Sequence, residues 1–115
     1  MIPALHQWDI VKVRINPDDA DQHPAVIVSR EEFCSDPKRR TVNVLYGTSR
    51  RPASVADLLE VTLNGADGLE RSTLFSCGHL FTISKEKISS VLGRVAPERR
   101  RQIGRKIVEA FRLPL

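Results

Sequence analysis

Two of the three histidines in the chain lie where they could take part in acid–base chemistry. His23 precedes Pro24 in a loop-like segment, and His79 lies two residues after Cys77. Imidazole titrates near neutral pH, so either side chain could accept or donate a proton in a reaction. The structural alternatives are an exposed loop residue at His23 and a hydrogen-bonded structural histidine at His79.

Four consecutive residues, Thr48, Ser49, Arg50 and Arg51, carry groups that bind phosphate. The two hydroxyls can donate hydrogen bonds to a phosphate oxygen, and the two guanidinium groups can neutralise its charge. The alternative is structural, because hydroxyl side chains also cap turns.

The cysteines do not form a metal-binding pattern. Cys77 and His79 supply two ligands, whereas a structural zinc site needs four. We therefore expect no metal and no cofactor. In a chain without an export signal, Cys34 and Cys77 are expected to be free thiols, with Cys77 in the core and Cys34 at the surface or a helix end.

Short apolar and alternating segments predict a β-rich fold. Residues 16–24, rich in Pro, Asp and Asn, predict an exposed loop. Five to seven short strands are predicted, from segments at residues 8–15 (alternating from residue 10), 25–28, 41–46, 58–63, 72–77, 80–83 and 90–95. The second of these is expected to be buried on both faces, and a bend is expected at Gly78.

Helical segments are few. Ser29–Glu32 matches a capping box, and residues 84–88 match a capped turn. Pro97 suits the first position of a longer helix, in which Ile103, Ile107 and Phe111 recur every four residues. This stripe, supported by Val108 and Ala110, is expected to pack on the sheet, with basic residues on the remaining surface.

These elements predict a single α+β, mainly β, domain over residues 1–115, a small closed or half-closed barrel with a basic amphipathic C-terminal helix. The N-terminus does not match a signal peptide, and no segment approaches the roughly 20 apolar residues of a membrane span. We expect a cytoplasmic protein with no membrane partner.

Charge is distributed unevenly along the chain. Residues 1–60 have a net charge of −1 and residues 61–115 of +5, within an overall +4. A basic half favours a polyanionic partner, nucleic acid first, although a solvated helix face explains the charge equally well.

Several segments together resemble the PemK/MazF toxins. They are residues 8–13 (WDIVKV), 23–29 (HPAVIVS), 47–49 (GTS), 74–77 (LFSC) and 92–98 (LGRVAPE). The resemblance spans roughly residues 8–112, and the order and spacing of the motifs make it fairly specific.

The resemblance implies an SH3-like barrel that forms a homodimer and cuts single-stranded RNA without metal. It also implies an antitoxin whose tail covers the RNA groove. The chain would then be the toxin of a type II toxin–antitoxin pair.

The catalytic residues of the family match this chain only in part. His23 stands where the family usually has its main catalytic Arg, and Thr48 matches the family's Thr. The Arg and Asp that some members use around Ser76–Gly78 have no counterpart. The predicted catalytic residues are His23, Thr48 and His79. The predicted substrate contacts are Gln22, Ser49, Arg50, Arg51 and Ser76.

The sequence leaves a second function class open. The chain could be a non-catalytic relative that binds RNA or another protein, either a degenerate toxin or an inhibitor like the gyrase poisons, since fold does not fix function. A small DNA-binding regulator is a third possibility, but the sequence has no recognition-helix motif before its basic helix.

Overall fold

The computed structural model describes residues 3–15, 18, 22–52 and 55–115. Its long helix is α2 (Pro97–Phe111), and the short helix α1 spans Glu31–Ser35. Among the described residues, single-turn 3-10 helices span Gly65–Asp67 and Lys85–Lys87. The strands are β1 (Asp9–Val13), β2 (His23–Ile27), β3 (Thr41–Thr48), β4 (Glu60–Leu63), β5 (Thr73–Ser76), β6 (Phe81–Ser84) and β7 (Ile88–Arg94).

All strand pairs are antiparallel, and the sheet order is β4-β5-β3-β2-β1-β7. β3 is the longest strand and organises the sheet. One edge of β3 pairs with β2, while the other edge pairs with β6 along its first half and with β5 at its end. The chain passes from β5 to β6 through a turn at Cys77 and Gly78, which confirms the predicted bend.

The central strands are buried on both faces. Alternate side chains of a strand point to opposite faces, so consecutive apolar residues feed two cores. Val11, Ala25 and Val44 belong to one apolar cluster, which includes Cys34 of α1. Ile10, Val26 and Leu45 belong to the other, which includes Ile103 of α2. The predicted two-sided burial of β2 is therefore confirmed.

Helix α2 begins at Pro97, as predicted, but its apolar stripe is buried only at one end. Ile103 is fully buried, Ile107 packs against the same cluster, and Phe111 is 45% exposed. Val108 is also exposed. The expectation that the whole stripe packs on the sheet is wrong, because its last member, Phe111, and the supporting Val108 are exposed.

The capping box expected at Ser29 is also wrong. Helix α1 begins one residue later, with Arg30 at the N-cap and no side-chain cap. The hydroxyl of Ser29 instead accepts a hydrogen bond from the backbone N–H of Asn43 at 2.7 Å. A strand backbone therefore uses the oxygen that the helix was expected to use. The turn at 84–88 is confirmed, since the Ser84 side chain accepts from Glu86 N–H.

One further expectation needs correction. His23 and Pro24 were predicted to end a loop, but they form the first two residues of β2. Cys34 was expected at the surface or a helix end; its place in the last turn of α1 confirms the helix end, and its side chain is buried. Of the predicted 16–24 loop, residues 16, 17 and 19–21 lie outside the described residues.

The mainly antiparallel sheet with a C-terminal helix confirms the predicted α+β class. Among the residues described, no helix is long and apolar enough to cross a membrane.

Candidate functional site

A polar groove of about 560 Å³ lies where β1 ends, β2 begins and β3 ends. We call it the cationic groove. It is lined by Lys12, Gln22, His23, Pro24, Gly47, Thr48, Ser49, Arg50 and Arg71. It thus brings together Gln22, His23, Thr48, Ser49 and Arg50 of the predicted site.

Strand pairing explains why His23 and Thr48 meet. β2 and β3 are antiparallel, with Ala25 opposite Tyr46. Two residues further along the same register lie His23 and Thr48, on the same face of the sheet because two residues complete one period of a strand. On the other side of β2, His23 pairs with Val13 of β1.

A glycine lets the end of β3 approach its neighbour. The ring of Phe75 lies so close to Gly47 that an added Cβ would come within 2.6 Å of it. Gly47 pairs with Phe75 in the ladder of β3 and β5. A larger residue at this position would displace the strand end that carries Thr48.

Two polar side chains of the groove are held by hydrogen bonds. The Thr48 hydroxyl oxygen accepts from the backbone N–H of Arg50 at 3.2 Å, which is the turn-capping role that the sequence left open. Its own O–H can still donate to a bound phosphate. The side-chain oxygen of Gln22 accepts from the hydroxyl of Ser89.

The groove attracts anions. Lys12, Arg50 and Arg71 place three cationic side chains around it, all from exposed residues. No carboxylate is found among the described residues that line it. A cleft lined by one sign of charge concentrates the opposite charge, so a phosphodiester backbone is a fitting ligand.

Three predicted site residues do not line this groove. Arg51 forms an ion pair with the buried carboxylate of Glu60. The side chains of Ser76 and His79 form a hydrogen bond, with 3.3 Å between the Ser76 oxygen and His79 Nδ1. The roles of these three residues in substrate binding or catalysis remain predictions. The hydrogen bond with Ser76 fits the alternative that His79 is a structural histidine.

Sequence reasoning missed Lys12 and Arg71. Lys12 is the one exposed residue of β1, opposite Pro24, so the alternation of that strand signals its exposure but not its place beside His23. Arg71 lies in the connection between β4 and β5, about 50 residues from His23 in sequence, and no local pattern indicates this proximity.

Both thiols are buried and free. Burial is the main cause that raises the pKa of Cys34 and of Cys77 to about 11. Neither thiol therefore suits a role as a nucleophile near neutral pH. Across residues 3–15, 18, 22–52 and 55–115, no group of three or more His, Cys, Asp or Glu side chains is arranged to hold a metal ion.

The family model of the PemK-like, MazF-like toxins of type II toxin–antitoxin systems matches residues 6–111. The chain belongs to this family. The search of curated proteins found no match to the sequence of this chain.

Solved structures share the fold at low sequence identity. An endoribonuclease in complex with its cognate antitoxin, from a mycobacterial species, is 18% identical with a TM-score of 0.76, and the match covers 97% of each chain. The Mycobacterium tuberculosis toxin MazF-mt6 is 20% identical with a TM-score of 0.75, over 93% of this chain and 99% of that one. The MazE–MazF structure from Deinococcus radiodurans is 14% identical with a TM-score of 0.77, over 97% and 99%.

Proposed function

We propose that this toxin is a metal-independent endoribonuclease that cuts single-stranded RNA in the cationic groove. The observation that carries the proposal is that His23 and Thr48 line one groove, whose described lining residues include Lys12, Arg50 and Arg71 and no carboxylate. The family membership and the fold shared with structures described as endoribonucleases support it.

RNA cleavage without metal needs two proton transfers and a stabilised phosphoryl group. The 2′-oxygen attacks phosphorus as a base removes its proton, and the 5′-oxygen leaves as an acid protonates it. We assign one of these transfers to His23, the only imidazole among the described lining residues. The other falls to water or to His79.

The other groove residues act on the phosphate. The Thr48 and Ser49 hydroxyls donate hydrogen bonds to the non-bridging oxygens, and Arg50, Lys12 and Arg71 offset the negative charge that grows on them. In this proposal Gln22, which also lines the groove, contacts the adjoining ribose or base.

We further propose that the protein forms a homodimer, acts in the cytoplasm and is inhibited by a cognate antitoxin. A groove that attracts phosphate also attracts carboxylates, so an acidic antitoxin segment would compete with RNA for the same cations.

The decisive experiment compares RNA cleavage by the wild type and His23→Ala in excess EDTA. We expect the wild type to cleave and the variant to lose roughly 10²–10⁴-fold in rate, the usual contribution of a proton-transfer group. His6→Ala is the matched control, because His6 bonds to Glu31 outside the groove. Equal cleavage by the wild type and a folded His23→Ala would remove His23 from the mechanism.

One observation favours a second function, RNA binding without cleavage. Among the described residues that line the groove there is one imidazole and no carboxylate, so these residues offer one such proton-transfer group where the reaction needs two. A gel-shift experiment separates the two functions: a binder retards RNA, loses affinity as salt rises and leaves the RNA intact.

A further inference from the structure

His23 lines both the cationic groove and a second, mostly apolar hollow of about 650 Å³. Tyr46 of β3 and Phe81 of β6 also line this hollow, and we call this pair the aromatic ledge. Their ring centroids are 4.9 Å apart and their planes are inclined by 62°, an edge-to-face arrangement. Phe81 is 45% exposed and is therefore a large apolar residue accessible to solvent.

The sheet fixes the position of the ledge. Phe81 pairs with Val44 across the ladder of β3 and β6, and Tyr46 lies two residues further along β3. Diagonal neighbours on one face of a sheet are within reach of aromatic side chains. The ledge is therefore held by strands and not by a loop, which gives it a defined orientation relative to His23.

Polar side chains also line the hollow. Thr82, Ser84 and Lys87, which we call its rim, line it together with Ile83 and the ledge. An exposed aromatic face with hydrogen-bonding groups at its border suits a flat heteroaromatic ring, whose faces stack and whose edges are polar.

We propose that the aromatic ledge is a nucleobase subsite, on which the base next to the scissile phosphate stacks on Phe81. His23 lines both the ledge hollow and the cationic groove, so a phosphate beside His23 places a neighbouring base over the hollow. The inference rests on the proposed RNA substrate and adds the residue that binds its base. Because every base has a stacking face, the subsite contributes affinity first and sequence preference through the rim.

The test uses single-stranded RNA oligonucleotides in which 2-aminopurine replaces successive bases. 2′-O-methyl ribose removes the attacking hydroxyl, so that binding is measured without cleavage. With the wild type, we expect stacking to quench the fluorescence of 2-aminopurine at one position. Phe81→Leu keeps an apolar side chain without the ring; we expect it to abolish that quenching and to weaken binding roughly ten-fold. Phe81→Trp should retain both the quenching and the affinity for RNA.

Phe111→Ala is the matched control, since Phe111 has the same exposed fraction of 45% but lies on α2, away from the hollow. It should bind RNA as the wild type does. In cleavage of unmodified RNA, Phe81→Leu should raise KM more than it lowers kcat.

The outcomes separate the subsite from the proposed function. If the wild type binds and cleaves RNA and Phe81→Leu does so equally well, the ledge is not a base subsite while the ribonuclease proposal stands. Phe81→Leu could also weaken RNA binding by dissociating a dimer, which a lower sedimentation coefficient would reveal. In that case Phe81 holds two protomers together, and the inference is overturned. A wild type that neither binds nor cleaves RNA would overturn both proposals.

Discussion

The family resemblance of residues 23–29 implies that the imidazole of His23 stands where the family usually has a guanidinium, and the neighbouring residues fit that exchange. An arginine supplies a permanent positive charge but hardly transfers protons, whereas a histidine transfers protons and is charged only in part near neutral pH. Lys12 and Arg71 line the same groove and supply permanent charge next to His23. Under the proposed mechanism, proton transfer and charge compensation are divided between different residues.

The buried thiols give a prediction at the residue scale. Because the pKa of Cys34 and of Cys77 is raised to about 11, both are protonated and shielded in the native state at pH 7.5. We expect a thiol reagent such as DTNB to modify neither cysteine on a timescale on which it modifies both in urea. Mass spectrometry of the labelled protein identifies which cysteine reacts.

The same shift predicts how stability depends on pH. A thiol whose pKa is raised on folding stabilises the native state fully below its ordinary value of 9.0, and this contribution is lost as the pH rises from there toward about 11. Cys77→Ala should therefore lose less stability than the wild type between pH 9 and 11. Rapid labelling of either native thiol at pH 7.5 would contradict the burial on which both expectations depend.

At the scale of elements, the sequence predicted which segments are strands better than where they end. Alternation and β-branched residues identified all seven strands, because these patterns report local burial. β3 extends two residues past the predicted end at Tyr46, and these two residues carry Gly47 and Thr48 into the site. They stay in the sheet because β5 pairs with them, and that partner is distant in sequence.

The beginning of α2 depends on a close approach that a mutation can test. A Cβ at Gly93 of β7 would lie 2.2 Å from the carbonyl oxygen of Asp67. The buried Asp67 carboxylate accepts from Ala96 N–H at 2.8 Å and pairs with Arg99 at 2.9 Å, so it holds the first turn of the helix. Gly93→Ala should destabilise the protein by about 1–3 kcal/mol through this overpacking.

Gly104 provides the opposite case within the same helix. Nothing lies within 4 Å of a Cβ built at this position. Gly104→Ala should stabilise the protein by about 0.5–1 kcal/mol, because alanine has the higher helix propensity. Urea unfolding of Gly93→Ala and Gly104→Ala measures whether each substitution lowers or raises the free energy of unfolding. A Gly93→Ala protein as stable as the wild type would show that β7 and the Asp67 turn do not pack this closely.

At the scale of the whole molecule, the candidate site is assembled from segments that are far apart in the chain. The sequence indicated His23, Thr48, Ser49 and Arg50 through local chemistry and family resemblance. It could not place Lys12 and Arg71 beside them, because only the pairing of β1 with β2 and the path between β4 and β5 bring them there. For the same reason, the ion pair that holds Arg51 away from the groove was not foreseen.

This assembly predicts the salt dependence of RNA binding. For a single strand, the logarithm of the binding constant falls with the logarithm of salt concentration by about 0.7 for each phosphate neutralised. Lys12, Arg50 and Arg71 should therefore give a slope of roughly −2 for each groove. Lys12→Ala or Arg71→Ala should each reduce its magnitude by about 0.7, as measured by fluorescence anisotropy with 2′-O-methyl RNA between about 50 and 300 mM KCl.

Arg101→Ala is the control for the loss of one charge, because Arg101 is exposed on α2 and does not line the groove. It should weaken binding slightly through the lower net charge while leaving the slope unchanged. If Arg101→Ala instead flattens the slope as much as Arg71→Ala does, the backbone of the RNA runs along the basic helix. The cationic groove would then be only part of its path.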